Sequence, residues 1–84
     1  MNSKEMREQA FRTAQRYLNT ARYWRSEYIG SQDDDHATSC TRAMNEYIIR
    51  YKTVIWLMWE MGLISYSRLQ EVESDMYEEL YEIK

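Results

Sequence analysis

His36 and Cys40 stand four residues apart in DDDHATSC, a spacing that would let both face one metal ion from adjacent turns of a helix. Two ligands do not close a zinc site, and the consecutive carboxylates Asp33, Asp34 and Asp35 cannot all turn toward one point. The run also lacks the alternating ligands and sixth-position glycine of an EF-hand loop. It reads instead as a helix-starting turn, whose carboxylates meet the free N–H groups of the first turn. Nucleophilic catalysis by Cys40 would need an exposed thiol beside a base, and its place on a helical seam predicts burial. Glutamates are plentiful, but a slim helical chain offers no cleft in which to raise a carboxyl pKa. The expectation is a non-enzyme with no catalytic residue, metal or cofactor.

The remaining chemistry is that of binding. Glu71, Asp75, Glu78 and Glu82 recur at i, i+4, i+7 and i+11, one acidic stripe about 16 Å long on a helix. Like charges at that spacing repel, so the stripe costs the free helix some stability and suits either solvation or a basic partner. Arg12, Arg16 and Tyr23, with Arg22 nearby, form an opposite kind of surface: arginines interleaved with an aromatic that could grip a nucleic-acid backbone. Ile49 and Trp56, one heptad apart with Thr53 between them, project from the wrong side of an otherwise well-defined seam. That second apolar patch needs a cover, either another protein or a second copy of the chain.

These residues must be positioned by helices. The chain has 84 residues, no Pro and only two Gly, Gly30 and Gly62, so it is punctuated twice. Asn2 and Glu5 have the spacing of a capping box, and Met6, Ala10, Ala14, Tyr17, Ala21, Trp24 and Tyr28 form an amphipathic stripe. Phe11, Leu18 and Ile29 widen the stripe, while Arg7 and Arg25 fall inside its arc and must reach an edge or a carboxylate. Ala37, Cys40, Met44, Tyr47, Tyr51, Val54, Met58 and Met61 alternate by three and four, a heptad seam. Gly62 supplies a left-handed helix end, Ser65 an N-cap, and Ile64 with Leu69 a hydrophobic staple. A third helix then buries Leu69, Val72, Met76, Leu80 and Ile83, flanked by Tyr66 and Tyr77.

The predicted fold is all-α: an antiparallel three-helix bundle or elongated helical coil with helices over about 3–29, 35–61 and 66–82, in one domain spanning 1–84. A single core at this size supplies about 3–5 kcal/mol of net stability, so pairing into a homodimer is expected. One cysteine, six methionines and a charged N-terminal segment suggest a reducing, cytoplasmic setting. The longest apolar run falls far short of the ~20 residues that span a bilayer.

Net charge is −3, distributed from a basic first third to an acidic last third. With a pI near 5.1 and 14% aromatic residues, the chain suits protein interaction better than direct nucleic-acid binding. In size, acidity and helical simplicity it resembles, as a type, some anti-CRISPR and anti-restriction proteins. That resemblance implies a small phage or mobile-element inhibitor which blocks a basic nucleic-acid-binding surface of a host defence complex. The alternatives are a small helical nucleic-acid-binding or regulatory protein using the basic face of helix 1, and a structural homo-oligomer.

Overall fold

A computed structural model of the chain describes residues 2–81. Three helices follow one another: α1 (Ser3–Ile29), α2 (Asp34–Glu60) and α3 (Tyr66–Tyr81). They form the expected all-α three-helix bundle, elongated to 47 × 23 × 15 Å. The long dimension is that of the α1–α2 hairpin, since 27 residues of helix extend about 40 Å. The shorter α3 runs back along the hairpin, antiparallel to α2. Its last turns reach Asn45 of α2 through Tyr81 and Arg25 of α1 through the Leu80 carbonyl.

The helix ends are set by local chemistry. Glu5 N–H donates to Asn2 Oδ1 (2.9 Å) and Asp35 N–H to Asp33 Oδ1 (3.2 Å). Ser65 Oγ accepts from Arg68 N–H at 3.1 Å, so each helix starts on a side-chain cap. Asp33 as cap places the start of α2 at Asp34 rather than the predicted 35, and Met61 becomes its C-cap instead of its last residue. The predicted last residue of α3, Glu82, and the predicted core position Ile83 lie outside the described residues.

The two glycines differ. Gly62 has φ of 75°, and Leu63 N–H donates to Met58 O (2.8 Å) while Gly62 N–H donates to Trp59 O (2.9 Å), the paired bonds of a Schellman motif. Gly30 ends α1 at φ −83° with no left-handed residue. A Cβ on Gly62 would meet nothing within 4 Å, so Gly62→Ala is strained only by its backbone angle. It should destabilise the protein by about 1–2 kcal/mol. Gly30→Ala, whose Cβ would lie 3.5 Å from Ser26 O, should be neutral or stabilise by up to about 1 kcal/mol. Paired thermal melts by circular dichroism check both, and equal effects would contradict this account.

The core comprises Ala14, Leu18 and Ala21 of α1, Met44, Ile48, Tyr51, Ile55 and Met58 of α2, and Leu69, Val72, Met76 and Leu80 of α3. Cys40 is fully buried, as its seam position required. The α2 seam itself needs correction. Ile48 and Ile55, absent from the strict heptad, are buried, whereas Tyr47 and Val54 are half-buried and Met61 is exposed. A heptad seam fits one neighbouring helix, but α2 packs between two. Its buried arc is therefore wider and rotated toward α3. Tyr28 and Ile29, placed on or beside the α1 stripe, are also exposed. They lie beyond Arg25, the level of α1 reached by the Leu80 carbonyl. Arg25 itself, expected to reach an edge or a carboxylate, is half-buried and donates from Nε to that carbonyl at 3.1 Å.

Candidate interaction surfaces

Burial of Leu69, Val72, Met76 and Leu80 fixes the rotation of α3 and turns Glu71, Asp75 and Glu78 to the opposite, solvent side, where all three are exposed. Glu71 pairs with Arg68 at 2.9 Å, within the same helix. Asp75 and Glu78 make no ion pair among the described residues. The fourth predicted member of the stripe, Glu82, lies outside them. Tyr77 and Tyr81 stack beside this face with ring centroids 5.5 Å apart.

The same helix is latched to α2. Lys52 Nζ donates to the Tyr77 hydroxyl at 2.7 Å and lies 3.5 Å from Glu73 Oε1, and the Tyr81 hydroxyl donates to Asn45 Oδ1 at 2.9 Å. The bond to Tyr77, with Glu73 adding to it, holds the Lys52 pKa above the ordinary lysine value against a smaller opposing effect of burial. Burial pushes the Tyr51 and Tyr81 hydroxyls up. Lys52 borders a groove on α2, and Tyr81 borders a smaller one shared with Arg25 and Leu80.

On α1 the structure divides the predicted basic face. Arg12, Arg16 and Tyr23 are exposed, and Tyr23 packs edge-on against Trp24 at 5.1 Å between centroids. Arg22 is engaged elsewhere: its guanidinium grips Glu79 of α3 through two bonds of 2.6 and 3.1 Å and also donates to Asn19 Oδ1. The bidentate geometry ties α1 to α3, so Arg22 acts within the fold. Being solvent-exposed on both sides, the pair adds at most about 1 kcal/mol.

The wrong-side patch on α2 is present and larger than Ile49 and Trp56 alone. Ile49 is 64% exposed and Trp56 36%, and Leu57, Trp59 and Met61 are exposed beside them. Trp56 and Trp59 meet edge to face at 5.7 Å, and Trp59 continues onto Tyr66 at 5.5 Å. Ile49, Lys52, Thr53, Trp56, Leu57 and Glu60 line a shallow groove of about 470 Å³. The spacing of Ile49 and Trp56 marked this surface, but Leu57 and Met61 were not assigned to it. Only the orientation of α2 between two neighbours shows that they stay outside.

At the other end of α2, His36 Nε2 lies 3.5 Å from Cys40 Sγ and 3.7 Å from Glu27 Oε2. No group of three or more residues able to hold a metal ion is gathered among the described residues, and no helix there is long and apolar enough to cross a membrane. What the molecule offers is surface: an acidic face on α3, a reduced basic face on α1 and an apolar band on α2. No family model, characterised protein or solved structure matches this chain.

Proposed function

We propose that the protein is a non-enzymatic protein-binding module whose acidic α3 face docks on a basic, nucleic-acid-binding surface of another protein. The observation that carries this reading is the outward pair Asp75 and Glu78, exposed and without an ion pair among the described residues, with Glu71 one turn before them. Carboxylates held on a rigid helix present negative charge at regular intervals, as a phosphate backbone does. A basic channel would meet that charge at little conformational cost. The stacked rings of Tyr77 and Tyr81 add a firm apolar edge to the contact. In its most specific form the reading is an inhibitor of the anti-CRISPR or anti-restriction type. It would come from a phage or mobile element and occlude a defence complex in the bacterial cytoplasm.

The test is a comparison of proteins captured from the native host by the wild-type chain and by Asp75→Lys/Glu78→Lys. Reversal of two exposed charges should leave the fold intact and weaken capture of the specific partner by well over about tenfold. Added duplex DNA should displace that partner from the wild type. Equal capture by both proteins, or indifference to DNA, would sink the reading.

Exposed Arg12, Arg16 and Tyr23 keep direct nucleic-acid binding as a second reading, weakened by the commitment of Arg22 to Glu79. A gel-shift titration at low and moderate salt separates the two. Binding through several phosphates must weaken steeply with salt.

A further inference from the structure

We infer that the outward face of α2 is a self-association surface on which a second copy of this chain docks with its own α2 antiparallel. Along that face Arg42, Glu46, Ile49, Thr53, Trp56 and Glu60 follow one another at steps of four and three, a second heptad seam on the side away from the core. All six are exposed. Arg42 and Glu60 fall on the same line of the helix, about five turns and about 27 Å apart. Neither makes an ion pair among the described residues.

A two-fold axis at the level of residue 51 maps this seam onto itself. It sets Arg42 against Glu60 of the second copy at both ends, Ile49 against Thr53, and Trp56 against Glu46. The Glu46 carboxylate is already turned to Arg50 at 2.6 Å, so its methylenes are left to the indole. The groove beside Trp56 supplies the space for a side chain from the other copy. Charge decides the orientation. A parallel pairing would bring Arg42 against Arg42 and Glu60 against Glu60, whereas the antiparallel one makes two opposite-charge contacts from residues that have no other ionic partner among the described ones. Sliding the pair by one heptad in either direction leaves part of the seam uncovered and loses both end contacts.

Sedimentation equilibrium of the full chain tests the inference. The wild type should be a dimer, and Arg42→Glu or Glu60→Arg should each raise the dissociation constant about tenfold, because an attractive contact becomes repulsive at two symmetric places. The double exchange Arg42→Glu/Glu60→Arg should return it to within about threefold of wild type. Both positions are exposed, so circular dichroism should show unchanged helix content. A wild type that stays monomeric at high micromolar concentration overturns the inference and leaves the face to a different protein. Single exchanges without effect, or a double exchange that does not rescue, overturn the antiparallel register. The acidic-face variant Asp75→Lys/Glu78→Lys should dimerise as the wild type does, so this inference and the proposed function fail separately.

Discussion

Ile55→Ala is expected to cost about 2–5 kcal/mol, comparable with the whole ~3–5 kcal/mol that a core of this size supplies, so the variant should be largely unfolded. Ile55 has no exposed surface and belongs to the core that joins all three helices. Removing three carbons there leaves a void that neither α1 nor α3 can fill without losing its own contacts. Ile55→Val should cost only about 0.5–1.5 kcal/mol and keep the fold. Urea titration followed by far-ultraviolet circular dichroism measures both. A loss below about 1 kcal/mol for Ile55→Ala would mean that α3 does not close over this position.

Ala21→Leu is expected to destabilise by about 1–3 kcal/mol for the opposite reason. Ala21 is fully buried and Ala14, one heptad earlier, nearly so. Small side chains at these positions let α1 lie close to its neighbours, and a branched side chain at residue 21 must push the helices apart or leave its rotamer. Thermal melting should show a reduced midpoint with helix content retained at low temperature. An unchanged midpoint would show that the packing around Ala21 is loose enough to absorb three more carbons.

Ile55 also shows where the sequence stopped being readable. The alternation from Ala37 to Met61 follows a single line of contact, and it correctly placed Cys40, Met44, Tyr51 and Met58 in the core. Ile48 and Ile55 lie to one side of that line. They lie toward the side along which α3 returns, the side from which Asn45 reaches Tyr81 and Lys52 reaches Tyr77, and a seam drawn for one neighbouring helix does not include it. Arg22 gives the same lesson for the surface: its neighbours on α1 suggest a basic face, and the Glu79 carboxylate that claims it comes from α3.

The candidate surfaces were legible to different degrees. Periodicity alone turned Glu71, Asp75 and Glu78 outward once Leu69, Val72, Met76 and Leu80 were recognised as buried, because opposite faces of one helix are fixed by its 3.6-residue turn. The wrong-side position of Trp56 followed in the same way. The extent of the apolar band did not. Whether Leu57 and Met61 are covered depends on where α1 and α3 run, and both stay exposed.

By itself the sequence determined that there are three helices, where the first two begin and end to within a residue, where the third begins, and how the second turns into the third. Asn2, Asp33, Ser65 and Gly62 do this through hydrogen bonds and backbone angles that span only a few residues. Only the tertiary structure decided how far the core side of α2 extends, which arginine is spent within the fold, and how much apolar surface is left uncovered. Each of those depends on the rotation of a helix between two others, which is set by the combined fit of side chains from all three.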